Sequence, residues 1–197
     1  MGHRIALVLA AAGALASLGA APAGAGGSPP SGTIMCGLSG SATFKQPVPP
    51  TTPATTTNKL TVKKAAADMC ANGGVTGGKA PITGAQVSLL GTIPVGFDCQ
   101  LITMPPQFTK SKVKIKWTDM AGKTVAVSKT TVASISVAGS GYQLVTAPIT
   151  KGGFVGATVT AQVNVDNLSD VVTCFNGTSP LAMIAFSTAM GSTITVP

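Results

Sequence analysis

Residues 112–117 read Lys-Val-Lys-Ile-Lys-Trp, and this stretch constrains the fold more than any other. Side chains along a strand alternate between two faces, so the pattern prescribes a strand with one lysine face and one buried face. A helix would scatter the same residues around its circumference. Lys110 extends the polar side by one step, and Asp119-Met120-Ala121-Gly122 reads as the turn that follows, with Gly122 free to take positive φ. Residues 124–129 then return as the antiparallel partner, which makes a hairpin.

The same short, alternating, turn-bounded segments recur along the chain. Residues 34–44, 60–70, 82–93, 99–103, 131–137, 142–147, 154–165, 171–175, 181–188 and 193–196 all read as strands. Residues 60–70 are the least clear, because the alanine-rich half could turn helical. Between them lie glycine loops such as 72–79, and residues 47–57, whose four prolines and five threonines can form neither ladder nor helix. No segment sustains a 3.6-residue period. The expected fold is therefore all-β, an antiparallel β-sandwich or closed-up barrel of about ten short strands. Its core should bury Val113, Ile115, Trp117, Val125, Val127, Phe154, Val163 and Val165.

The N-terminus reads as a secretory signal. His3 and Arg4 precede an apolar run over residues 5–18, and Ala23-Gly24-Ala25 satisfies the small-x-small cleavage rule. Cleavage is expected after Ala25, with Ala23 as the alternative. Residues 26–33 read as a flexible lead-in and 34–197 as a single β domain. The run is short for a membrane-spanning helix, so the mature form should carry none. Cleavage removes the only histidine and the only arginine. Twelve lysines against five aspartates, with no glutamate, leave the mature chain a net charge of about +7.

Four cysteines remain, Cys36, Cys70, Cys99 and Cys174. An even number in an exported chain reads as two disulfides. Of the three pairings, Cys36–Cys70 is favoured because its midpoint, Pro53, falls in the proline-rich turn, which sets the two residues opposite each other on neighbouring strands. Cys99 is then left to pair with Cys174. A metal site is disfavoured, since no Cys-x-x-Cys spacing and no mature histidine are present.

The chain resembles the uncharacterised secreted proteins common in actinobacteria. The residues that carry the likeness are Ser39-Gly40-Ser41-Ala42-Thr43-Phe44 with Pro47, then Cys70 and Cys99, Val113-x-Ile115-x-Trp117, Gly152-Gly153-Phe154-x-Gly156, and Cys174. The resemblance implies an exported, disulfide-bonded β domain and brings no activity or site residues with it.

The composition excludes more chemistry than it suggests. Nucleophilic catalysis of the Ser-His-Asp or Cys-His kind needs a base that titrates near neutrality, and the mature chain has no histidine. Glycoside hydrolysis usually needs two flanking carboxylates, and no aspartate spacing suggests a pair. Asp166, Asn167, Ser169 and Asp170 could present oxygens to calcium, but such a cluster is more often a hydrogen-bonded turn. The expectation is a non-enzyme without cofactor or metal. Lys110, Lys112, Lys114 and Lys116 are the candidate site, a basic stripe for an anionic envelope polymer. The commoner role of such a stripe is a solvated face that discourages edge pairing. Nucleic acid is disfavoured as partner by the missing arginines and by only eight aromatics. Two functions remain: an exported non-catalytic envelope or extracellular protein that binds a surface polymer or another protein, or a membrane-active protein such as a pore former or outer-membrane-type barrel.

Overall fold

A computed structural model of the chain describes residues 28–103 and 108–197. The expected signal segment and the expected cleavage after Ala25 lie outside the described residues. Ten strands form in the order β1 (Ser31–Val48), β2 (Asn58–Thr76), β3 (Gly84–Ile93), β4 (Lys110–Thr118), β5 (Thr124–Thr130), β6 (Val132–Ala138), β7 (Gly141–Thr146), β8 (Thr160–Asn164), β9 (Leu181–Phe186) and β10 (Thr193–Val196), with one helix, α1 (Leu168–Phe175), before β9. All pairings are antiparallel. The spatial order is β5-β4-β3-β2-β1-β10-β8-β7-β6, with β9 also on β1. The sheet folds over so that β1–β4 face β6–β9 across an apolar interior, and it does not close. Side chains tie the two layers at one corner: Ser111 Oγ of β4 accepts from the Val132 amide of β6 at 2.8 Å, and Thr130 Oγ1 of β5 donates to the Ala147 carbonyl, just past β7, at 2.6 Å.

β1 organises this arrangement. It pairs with β2 along its length, while its other edge takes β10 over Ile34–Gly37 and β9 over Gly40–Val48. Three register shifts bend the β1–β2 ladder, and Lys64 and Met69 on β2 adopt left-handed backbone, as residues at bulges do. Gly40 is required at the crossing with β2, because a Cβ there would stand 2.7 Å from that of Ala65. One bulge lies between Met35 and Gly37, where Cys36 reaches Cys70. Both expected disulfides form, Cys36–Cys70 and Cys99–Cys174.

Trp117 is the centre of the β4–β5 hairpin and is fully buried. Its Nε1 donates to Ser128 Oγ at 2.8 Å, and that hydroxyl donates to the Gly153 carbonyl at 2.6 Å. Phe154 packs against the indole at a centroid distance of 4.9 Å, tilted by 58°. Val113, Ile115, Phe154 and Val165 are buried as expected, but Val125, Val127 and Val163 are only half-buried. The reason on β5 is a bulge at Trp117/Thr118, which shifts the phase so that Ala126 and Ser128 stand opposite Trp117 and Ile115. Small side chains there leave room for the indole and supply its acceptor.

Five other expectations are corrected. Residues 99–103 form a turn of 3-10 helix, and 171–175 belong to α1 rather than to a strand. A short apolar run does not distinguish helix from strand by period alone; here Val171 and Cys174, three apart, turn inward while Leu168, Val172 and Phe175 stay exposed. Strand β8 begins only at Thr160, because Gly152, Phe154 and Gly156 all have positive φ and fold the preceding residues into turns. Strand β2 continues to Thr76, through half of the expected glycine loop, and β1 begins at Ser31 inside the expected lead-in. Its approach is tied down: the Pro30 carbonyl accepts from the Phe154 amide at 2.7 Å, and the Ser28 carbonyl from Gly78 at 2.7 Å.

Candidate functional site: a basic face and an apolar interior

The lysines of β4 project from the outer face of the sheet, opposite to Val113, Ile115 and Trp117. Lys110, Lys112 and Lys114 are exposed and Lys116 is half-buried. Register extends this stripe sideways. Lys114 stands directly opposite Lys129 on β5, and Lys129 is bridged in turn to Lys151. Directly opposed residues share a face with their Cβ atoms about 5 Å apart, so three exposed lysines form one cross-strand row. Lys112 and Lys116 flank it along β4. On the other side Lys110 is opposite Thr92, which is opposite Lys59 on β2. Seven lysines thus share one face, where the sequence stripe contained four. Lys129, Lys151 and Lys59 join it through strand pairing, which no local pattern announces; the bulge in β5 hides even the Lys114–Lys129 match from a simple count across the turn.

Four of the five aspartates are engaged elsewhere. Asp98 is buried and accepts from the amides of Gln100 at 3.0 Å and Leu101 at 3.1 Å. Asp119 closes the hairpin turn by accepting from the amides of Ala121 at 3.0 Å and Lys123 at 2.9 Å. In the 166–170 turn, Ser187 Oγ donates to Asp166 at 3.1 Å and Asn167 Nδ2 donates to Asp170 at 3.0 Å. Asn167 also accepts from the Ala185 amide at 2.8 Å, which fastens the start of α1 to the edge of β9. Asp68 lies at the far end of β2, beside Gly84. Among the described residues no group of three or more His, Cys, Asp or Glu side chains is placed to hold a metal ion.

The second feature lies between the layers. A cavity of about 120 Å³ is lined by side chains from eight strands and by Phe97 and Phe108. Its walls are aliphatic and aromatic, and Tyr142 of β7 supplies the one hydroxyl-bearing side chain. Burial pushes the Tyr142 phenol up to about 12, so the wall carries no charge over the physiological range. An apolar void of that size costs roughly 3 kcal/mol if left empty, a large share of the net stability of about 5–15 kcal/mol typical of a domain. The sequence offers only a faint sign of it. Ala42, Ala65 and Ala161 occupy inward positions where larger residues would fill the space.

In comparisons with family models, curated proteins and solved structures, nothing matches the chain.

Proposed function

We propose that the chain is an exported, non-catalytic protein of the cell envelope or extracellular space that holds an anionic surface polymer against the outer face of β3–β5. The observation that carries this reading is the row Lys114, Lys129, Lys151. Like charges directly opposed across a ladder destabilise it, and no carboxylate is placed on the row to offset them. A polymer with closely spaced phosphates or carboxylates relieves that repulsion and gains counterion release. Another protein as partner would call for an apolar or aromatic centre; among the strand residues opposite these lysines only Leu90, across from Lys112, is a large exposed apolar side chain. Export is supported by the apolar N-terminal run ending in Ala23-Gly24-Ala25, by the likeness to secreted actinobacterial β proteins, and by two disulfides, which fit an oxidising compartment. A non-catalytic role is supported by the absence of glutamate and by a single histidine, His3, inside the targeting segment. A membrane barrel would turn an apolar band outward; here lysines face out, and the sheet stays open between β5 and β6.

The test is equilibrium binding of polyphosphate and of polygalacturonate to the wild type and to a Lys114→Gln, Lys129→Gln, Lys151→Gln triple variant. Wild-type affinity should fall at least about tenfold between about 50 and about 500 mM salt, because exposed charges are screened over this range. The triple variant should bind about tenfold more weakly at low salt with an unchanged or higher Tm. Equal binding by variant and wild type would remove the basic face from consideration.

A further inference from the structure

We infer that the cavity between the two layers is a binding site for one unbranched hydrocarbon chain, the alkyl or acyl tail of a fatty acid or lipid. The inference is independent of the basic face, which lies on the opposite side of β4.

Three observations carry it. The lining is apolar throughout except for the Tyr142 phenol, so no polar group is placed to orient a sugar, nucleotide or peptide, and a cavity of this chemistry does not hold water. The lining extends along the strands. Leu38 and Phe44 both line it from β1, and Val87 and Ile93 both line it from β3; six residues of strand span about 20 Å. An interior extended over that length suits a flexible linear chain. The cavity also has a way in. Val87, Phe108, Tyr142, Leu144 and Val163 line it yet are only half-buried, so the interior is not sealed from solvent. Small inward residues, Ala42 and Ala161 among them, preserve the space.

Binding of straight-chain alcohols to the full mature protein tests this, followed by calorimetry and by the shift in Tm. 1-Decanol should saturate at one molecule per chain and raise Tm. Affinity should climb about fourfold for each methylene added from 1-hexanol upward, the step expected for a buried CH₂. Ala161→Leu, which fills the channel, should weaken 1-decanol binding at least about tenfold while Tm in the absence of alcohol holds or rises. If Ala161→Leu does not fold, Ala42→Leu serves the same purpose from the opposite wall. The Lys114, Lys129, Lys151 triple variant should bind 1-decanol as the wild type does, which separates this site from the basic face. Comparing decanoate with decanoyl lysophosphatidylcholine distinguishes a free fatty acid from a lipid tail as the source. Absence of saturable 1-decanol binding, affinity that does not grow with chain length, or binding unchanged in a folded channel-filling variant would overturn the inference.

Discussion

Trp117 shows how much of the local design rests on a single side chain. Its ring fills the centre of the hairpin, its N–H needs an acceptor, and Ser128 supplies one that is itself anchored to the Gly153 carbonyl. Trp117→Ala should therefore cost about 3–5 kcal/mol through lost packing and the cavity left behind. Trp117→Phe should cost less, because Ser128 keeps its bond to Gly153 and only one hydrogen bond, worth about 1 kcal/mol, is removed. Denaturant unfolding of both variants checks the order; equal losses would show that the hydrogen bond rather than the ring dominates. Tyr142 makes a prediction of a different kind. Its phenol is raised from 10.0 to about 12 by burial. In the unfolded chain it ionises first, so its contribution to stability is complete below about pH 10 and is lost as pH rises towards 12, by about 2–3 kcal/mol in total. Tyr142→Phe should remove that part of the alkaline decline, measured as the difference between the two proteins' unfolding free energies across this window.

At the scale of elements, the most informative comparison is between the β4–β5 hairpin and α1. The hairpin was readable because period two, a turn with Gly122 at φ +73° and a returning apolar strand all agreed. Its bulge was not, because nothing local marks the residue at which the ladder slips; the indole's need for space decides it. The five residues Val171 to Phe175 have a strand-like pattern yet form part of a helix, because the crosslink demands only that Cys174 face inward, which either period can satisfy. Cys174 and Cys99 are both fully buried, and their bond ties α1 to the turn of 3-10 helix after β3 across 75 residues of sequence. In the chain-entropy picture closing a loop of that length stabilises the fold by about 4 kcal/mol. The Cys99→Ala, Cys174→Ala double variant should lose that much, and somewhat more than Cys36→Ala, Cys70→Ala, whose loop spans 34 residues. Thermal unfolding of the two double variants reads the difference directly, and a reversed order would mean that local packing outweighs loop length.

At the scale of the whole molecule, strand content, disulfide pairing and the inward set of β4 itself, Val113, Ile115 and Trp117, were legible because each rests on short-range pattern or on arithmetic among four cysteines. The shape of the interior was not. Alanine at an inward position reads as ordinary core, and only the opposing layer shows that Ala42 and Ala161 border open space. The basic face was half legible for the same reason: Lys110 to Lys116 are neighbours in sequence, whereas Lys59, Lys129 and Lys151 arrive by pairing. β1 adds a consequence for how the chain is made. It holds β2 on one edge, but its other edge is completed only by β9 and β10, residues 181–196. A chain synthesised from its N-terminus can close the β1–β2 hairpin and oxidise Cys36 with Cys70 early, yet more than a hundred residues must follow before that second edge is covered. Until then a long, bare backbone edge is exposed to any neighbouring strand, so a chain truncated before Leu181 should aggregate where the full chain does not.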